Sequence, residues 1–251
     1  MQQQKQLKVL LIGDSCTDEY VYGTCERLNP EAPVPILKLN RKETKKGMAW
    51  NVRENLMSFG MEVCIVTNEE TIIKTRYIDE KHNQQILRVD SDPILNPMQG
   101  ELPDGRYDAL VISDYNKGFL TTEKISDLVN SFDGPVFIDT KKNQLPKLKA
   151  YIKVNEHEWS NFKGSVLFNK LIITKGGKGA WYKDELYPAE KVNVFDVVGA
   201  GDTFLSALVY FYLKYGTIEY AIPYANKAAA IAVSNFGTYI LSEEDVNEIC
   251  D

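Results

Sequence analysis

Six short stretches of nearly unbroken apolar character recur along the chain: Lys8 to Gly13, Glu62 to Val66, Tyr107 to Ile112, Pro135 to Asp139, Tyr151 to Val154 and Lys170 to Thr174. A strand with one face in water alternates apolar and polar residues, so a continuous run needs cover on both faces. Segments of helical period lie between these runs. The pattern is that of parallel strands joined by crossover helices, and it predicts an α/β fold, a three-layer α/β/α sandwich. The helices carry readable ends. Thr121 can cap a helix over Thr122 to Phe132, with Glu123 favoured in its first turn, and Gly134-Pro135 stops it. Gly60 closes a helix over Met48 to Phe59. Gly216-Thr217 separates two helices near the C-terminus, Pro223 is expected in the first turns of the second, and Ser242 opens a last one.

Two segments break the alternation. Tyr20 to Lys46 contains Pro30, Pro33 and Pro35 and has strand-like pieces at Glu19 to Tyr22 and Val34 to Leu39. Ile72 to Ile78 and Gln84 to Val89 flank a turn-prone stretch. Together they predict a small β lid, over about 19–46 and 72–90, covering the carboxyl ends of the core strands within a single domain of residues 1–251. Asp92 to Gly105, with three prolines, reads as a surface connection back to the core.

Charge narrows the partners. The 251 residues hold 35 acidic and 29 basic side chains, for a net charge of −6. Without clustered Lys and Arg, no nucleic-acid partner is expected; Arg41, Lys42, Lys45 and Lys46 are the nearest approach to a basic block. The longest apolar stretches, Val9 to Ile12 and Ala228 to Val233, are far shorter than the roughly 20 residues that span a bilayer, so no membrane partner is expected. The Gln-rich start lacks a signal-peptide core, and cytoplasmic residence is the expectation. Cys16, Cys25, Cys64 and Cys250 form no Cys-x-x-Cys pair and, with only His82 and His157 beside them, read as reduced thiols rather than zinc ligands.

The sharpest chemical signal is Asp196-Val-Val-Gly199-Ala200-Gly201-Asp202-Thr203 ahead of the apolar run Phe204 to Tyr212. Small residues let backbone amides converge at a helix N-terminus, which favours an anion. An acid at the end of such a loop is useful where it removes a proton from an attacking hydroxyl while the amides hold the charge of a transferring phosphoryl group. The alternative on spacing alone is a tight strand-to-helix turn with Asp202 as a cap.

This motif resembles the signature of the pfkB, or ribokinase-like, family of small-molecule kinases, and the resemblance runs along nearly the whole chain. Gly13-Asp14 with Asp18, Lys46-Gly47-Met48-Ala49-Trp50-Asn51-Val52, Asn155-Glu156-His157-Glu158 and Thr174-Lys175-Gly176-Gly177-Lys178-Gly179 are similar to further family motifs, in the family's order. Arg27 to Pro35, Lys74-Thr-Arg76, Asn83 to Asp90, Ser113 to Gly118 and Ile138 to Lys141 resemble segments of the bacterial heptose 7-phosphate kinases within it. The resemblance implies a ribokinase-like sandwich, ATP and Mg²⁺ as cofactors, and phosphorylation of a sugar phosphate, with the anomeric hydroxyl of a heptose 7-phosphate favoured.

It also implies roles. Asp202 is the base, beside the amides of Gly199, Ala200 and Gly201. Asp14, Asp18, Gly47, Asn51, Arg76, Arg88, Asp114 and Lys141 meet the sugar phosphate, the short polar groups holding hydroxyls and the basic ones a phosphate. Asn155 and Glu158 steer Mg²⁺; Thr174, Gly176, Gly179 and Asn226 line the nucleotide site. A homodimer through the lid is expected. Lys46 and Trp50 stand where the family has small residues and are expected to add bulk near the substrate. After Val66-Thr67 the chain also lacks about one helix-and-strand unit of its lookalikes, and nothing resembling an adenylyltransferase follows Cys250. The alternatives are a kinase of another sugar or nucleoside, and a non-catalytic nucleotide- or sugar-phosphate-binding module. No Gly-x-x-x-x-Gly-Lys-Ser/Thr loop and no strand-linked Gly-x-Gly-x-x-Gly is present, which argues against a P-loop or dinucleotide site.

Overall fold

A computed structural model of the chain describes residues 6–250. In chain order its first half comprises β1 (Lys8–Gly13), β2 (Ser15–Leu28), β3 (Pro35–Met48), α1 (Ala49–Ser58), β4 (Glu62–Thr67), β5 (Ile72–Asp79) and β6 (Gln84–Ser91). Then follow β7 (Ala109–Asp114), α2 (Thr122–Ser131), β8 (Val136–Thr140), β9 (Tyr151–Asn155), α3 (Glu156–Ser160), β10 (Leu171–Thr174), β11 (Ala180–Tyr182) and β12 (Glu185–Tyr187). Three helices finish the chain, α4 (Ala200–Tyr215), α5 (Ile218–Val233) and α6 (Glu243–Cys250).

Eight strands form one sheet in the order β12-β11-β10-β9-β8-β7-β1-β4. All six runs read as parallel strands are there, and each neighbouring pair from β4 to β10 is parallel. Alternation along β1 shows why its run is unbroken. Val9 and Leu11 face a cluster with Phe204, Leu208 and Ala225 of α4 and α5, whereas Leu10 and Ile12 face Ile125, Leu128 and Val129 of α2. Each side is fully buried, which makes the sheet the middle of three layers. The antiparallel hairpin β11-β12 extends the sheet at one edge, beyond the parallel strands predicted.

A second sheet has the order β3-β2-β5-β6. Its two 14-residue strands, β2 and β3, are far longer than the strand-like pieces expected within 19–46. The long strand β3 carries nine exposed residues in a row, Lys38 to Lys46, and so reads as a polar loop until its pairing with β2 is seen. Only Asp14 separates β1 from β2, β3 runs directly into α1, and four residues join β4 to β5. The lid is thus rooted at the carboxyl ends of β1 and β4, the edge at which open α/β sheets bind ligands.

The helix ends follow from local chemistry. The Thr121 hydroxyl accepts the Lys124 amide at 3.1 Å, and Ser242 does the same for Asp245 at 3.2 Å. Pro223 is the sixth residue of α5, just past the first turn, so the helix forgoes one bond to the Glu219 carbonyl. All four cysteines are free. No helix among the described residues is long and apolar enough to cross a membrane.

Thr121→Ala removes the acceptor for the Lys124 amide and is expected to lower unfolding stability by about 1 kcal/mol in a urea titration, while Thr121→Ser costs only a few tenths. An equal loss for the two variants would show that the cap contributes nothing.

Candidate active site

The carboxyl edge of the main sheet gathers the polar ends of its strands: Asp14 after β1, Asp114 of β7, Asp139 of β8, Asn155 of β9 and Thr174 of β10. Above the last three opens a cavity of about 590 Å³, completed by the segment 189–202, α4 and α5. Its polar lining includes Asp139, Lys141, Lys153 and Asp202, and its apolar lining Val192, Val194, Ala229, Ala230 and Val233.

Asp202 stands in the first turn of α4. Gly199 precedes this helix in the left-handed conformation (φ 80°), and a Cβ there would come within 2.9 Å of the Asn51 amide nitrogen, so the turn needs a glycine on both counts. No side chain caps α4, and Asp202 does not fold back onto its own helix. Its Oδ2 instead accepts the Asn51 side-chain amide at 2.9 Å, and its Oδ1 accepts the Tyr115 phenol at 2.8 Å. Burial pushes the Asp202 carboxyl above its ordinary range; Asn51, Tyr115 and Lys153 pull against that, while Asp139 adds to it. The result is a 95% buried carboxylate with a raised proton affinity, opening onto a cavity headed by helix amides. Such a group can accept a proton from a hydroxyl.

Asp14 and Asp114 are both buried, within one network. Asp14 Oδ2 accepts the amides of Tyr115 at 2.7 Å and Lys117 at 3.4 Å, while its Oδ1 is buried without a partner. Burial, then the neighbouring Asp114, lifts the Asp14 carboxyl. Asp114 in turn receives the Thr140 hydroxyl at 2.6 Å and faces Lys142 at 3.4 Å.

On the lid, Asp18, Tyr20, Lys74 and Arg76 share one face by register. Arg76 reaches Asp18 at 3.5 Å. Gly47 allows that approach, since a Cβ there would lie 2.1 Å from Asp18 Oδ2. Arg88, opposite Arg76, spends both arms of its fork on Asp90 at 2.7 and 2.8 Å. The expected crowding of the substrate by Lys46 and Trp50 takes a different form. The Lys46 ammonium lies 3.9 Å from the Trp50 ring centroid, on the strand face opposite Asp18, so the bulk of the pair stacks on itself.

Asn155 and Glu158 form a capping box on α3: the Asn155 side chain accepts the Glu158 amide at 2.8 Å, and Glu158 accepts the Asn155 amide at 2.7 Å. Glu158 also pairs with Lys141. Burial lowers the Lys141 ammonium, but Asp139, Glu158 and Asp202 together outweigh it. Thr174, Gly176, Gly179 and Asn226 all line the cavity, and the Asn226 amide ties down the segment beside it by donating to the Tyr187 and Pro188 carbonyls at 2.9 and 3.2 Å.

The cavity therefore brings together Gly199, Ala200, Gly201, Asp202, Lys141, Asn155, Thr174, Gly176, Gly179 and Asn226. Asp14, Asp18, Gly47, Asn51, Arg76, Arg88, Asp114 and Glu158 lie outside its lining. Among the cavity residues to which the sequence reading assigned no role are Tyr115, Asp139 and Lys153. The last two are an ion pair at 2.6 Å, with Lys153 96% buried and Asp139 Oδ1 unpartnered. A lysine interrupting an otherwise apolar strand was the available signal, because buried charge demands a partner.

Known proteins resemble this chain in sequence and in fold. Residues 122–245 match the model of the family described as pfkB family carbohydrate kinase. The chain is 31% identical to the bifunctional protein HldE of a Nitratiruptor species, over 96% of this chain and 64% of that protein. To the bifunctional protein HldE of Campylobacter curvus it is 28% identical, over 98% and 65%. It thus spans slightly under two thirds of the length of these curated relatives. The first alignment runs over 302 positions, more than the 251 residues here, so the relative carries stretches that this chain lacks. Among solved structures, ribokinase from Thermotoga maritima superposes with a TM-score of 0.70 at 19% identity, over 97% of this chain and 99% of that one. Phosphofructokinase-2 from Escherichia coli, in complex with potassium, also gives 0.70, at 14% identity and 97% of each chain. These two likenesses establish a shared ribokinase-like fold.

The raised Asp202 carboxyl has a consequence for stability. A buried acid whose folded proton affinity exceeds its unfolded one binds more protons when folded, so it loses stability as pH climbs through the folded value. Asp202→Asn is therefore expected to be more stable than the parent at pH 8, by about 1.4 kcal/mol per unit of elevation, with the gap closing as pH falls towards 4. Denaturant midpoints at the two pH values read this out; a gap that widens on acidification would contradict it.

Proposed function

We propose that the chain is a carbohydrate kinase of the pfkB family that transfers the γ-phosphoryl group of ATP to a hydroxyl of a sugar phosphate, with the anomeric hydroxyl of a heptose 7-phosphate as the favoured acceptor. One observation carries this reading: Asp202 is a buried carboxylate, raised in proton affinity, at an uncapped helix N-terminus that opens on a cavity. In it, the acceptor oxygen loses its proton to Asp202 and bonds the γ-phosphorus, and the bond to the bridging oxygen breaks with its electron pair leaving on ADP. Amides of Gly199, Ala200 and Gly201 hold the charge on the transferring group, with the buried Lys153 ammonium beside them.

Asp14, with one oxygen free, and Asp18 would hold sugar hydroxyls. Lys74 and Arg76, on the lid face that carries Asp18, suit a terminal phosphate better than Arg88, whose fork is filled by Asp90. The likeness of segments 27–35, 74–76 and 83–90 to heptose 7-phosphate kinases supports the acceptor. The apolar lining from Val192, Val194, Ala229 and Ala230 suits a nucleotide base.

Mg²⁺ would neutralise charge on the nucleotide phosphates when bound. The donors present fit an ion that keeps its waters: the Asn155 and Glu158 side chains are engaged in the cap and with Lys141, and Asp139 Oδ1 is a buried acceptor without a partner. A homodimer through the lid is part of the same proposal. Val21, Tyr77, Leu87 and Val89 share the lid face turned away from Asp18, and Leu87 and Val89 are exposed.

ADP release measured across heptose, hexose and pentose phosphates tests the reading. Heptose 7-phosphate is expected to give the highest kcat/KM, and Asp202→Asn to lower kcat by about 10²–10⁴-fold with nucleotide affinity little changed. Turnover of Asp202→Asn equal to the parent would refute the assignment of the base. For the dimer, a Leu87→Asp/Val89→Asp double variant is expected to sediment as a monomer; an unchanged sedimentation coefficient would locate any self-association elsewhere.

A further inference from the structure

Both oxygens of Asp202 are engaged by side-chain donors, yet a base must offer one of them to an incoming hydroxyl. The two donors differ in how firmly they are held. Asn51 is 99% buried on α1, its Oδ1 accepts the Asn55 amide at 3.2 Å, and Gly199 packs against its amide. Tyr115 instead heads a loop just beyond β7, in which Asn116 and Gly118 have φ of 56° and 107°. Its ring is half-buried, and the Lys74 and Lys141 ammonium groups each lie 5.7 Å from its centroid. The backbone of this loop hangs on the Asp14 carboxylate through the Tyr115 and Lys117 amides. Tyr115 and Asp202 both line the cavity, so the phenol stands on the side from which an attacking oxygen would reach the base.

Resting on the reading that Asp202 is the base, we propose that Tyr115 is a positioning residue that latches Asp202 until the acceptor is seated, and thereby keeps water from being phosphorylated in its place. Asp14 links the two events. Its Oδ1 is buried without a hydrogen-bond partner and its Oδ2 holds the Tyr115 loop, so an acceptor hydroxyl that reaches Oδ1 perturbs the anchor of the latch. With the latch closed, the phenol fills the approach and its hydrogen bond reduces the basicity of the carboxylate. With it open, the acceptor hydroxyl takes over the bond to Oδ1. The reaction the latch suppresses is hydrolysis. A water oxygen would bond the γ-phosphorus, its proton would pass to Asp202, and the bond to the bridging oxygen would break with its electron pair leaving on ADP.

The test is Tyr115→Phe in the full chain, with ATP and Mg²⁺ and with or without heptose 7-phosphate. Acceptor-free ADP release is expected to rise about tenfold, and the ratio of hydrolysis to sugar phosphorylation to rise with it; adding Asp202→Asn is expected to cancel the gain. Damage to the fold lowers both rates and does not produce a gain. Should Tyr115→Phe fail to fold, Tyr115→Leu gives the same readout. Acceptor-free release no faster than in the parent overturns the latch. That result leaves the proposed function standing if Asp202→Asn still abolishes sugar phosphorylation, whereas an Asp202→Asn variant as active as the parent overturns the function itself.

Discussion

A carboxylate taken out of water stays in place only where hydrogen-bond donors replace its lost hydration, and Asp202 draws its donors from sites 151 and 87 residues away. Much of the architecture around the site follows from that requirement. To deliver Asn51, α1 must lie against α4, and a turn without a Cβ at Gly199 lets the two helices meet. Because β3 runs without a break into α1, fixing α1 also fixes the root of the lid. To deliver Tyr115, the loop after β7 must bend back over the sheet edge, and the buried Asp14 supplies the acceptor for its amides. Core, lid and loop are therefore registered on a single ionisable group.

That arrangement concentrates like charge. Asp14, Asp114, Asp139 and Asp202 are all buried along one edge, and Asp114 and Asp139 lift the carboxyls of Asp14 and Asp202 respectively. Lys142 and Lys153 offset part of this from adjoining positions. Structural and chemical roles fall on the same atoms here. Asp14 holds a loop with one oxygen while its other is buried without a partner, and Asn155 and Glu158 cap a helix whose cap residue Asn155 lines the cavity. A cap alone accounts for α3; it does not account for the Lys141 contact, which turns Glu158 towards the cavity rim.

The parts legible in sequence were those governed by one local rule. Unbroken apolar runs located the six parallel strands within a few residues, because double-sided burial leaves no room for alternation, and the glycine loop marked the head of α4. The hairpin β11-β12 escaped because its turn uses Lys183 and Asp184 at φ of 48° and 63°, where a hairpin of this kind favours Asn-Gly. The length of β3 escaped because an exposed edge strand rich in Lys carries little apolar signal. In the site, Asp202 was legible from its loop. Tyr115 and the Asp139–Lys153 pair were not, since their meaning lies in cross-strand register: Asp139 sits opposite Lys153 only once β8 and β9 are paired.

The short link between β4 and β5 bears on what a pared-down chain can still do. Asn68 staples it, accepting the Ser15 amide at 2.7 Å and donating to the Ser15 carbonyl at 3.3 Å, so β5 enters the lid directly beside β2. As a result β4 is a sheet edge whose residues are half-buried or exposed, in contrast to the fully buried β7 and β8. None of the groups that bind Asp202 or line the cavity comes from this link. The shortening therefore separates two properties that a longer chain would vary together. Under the proposed function, phosphoryl transfer depends on α1, the loop after β7 and the head of α4, all of which are in place, while the fit of the acceptor depends on what stands beside β1 and under the lid. Lys46 stacks on Trp50 from the strand face opposite Asp18, so under the proposed function the wall on the acceptor side is set by Asp18, Asn51 and Arg76 together with the short Asn68 link, and the choice of sugar is made there.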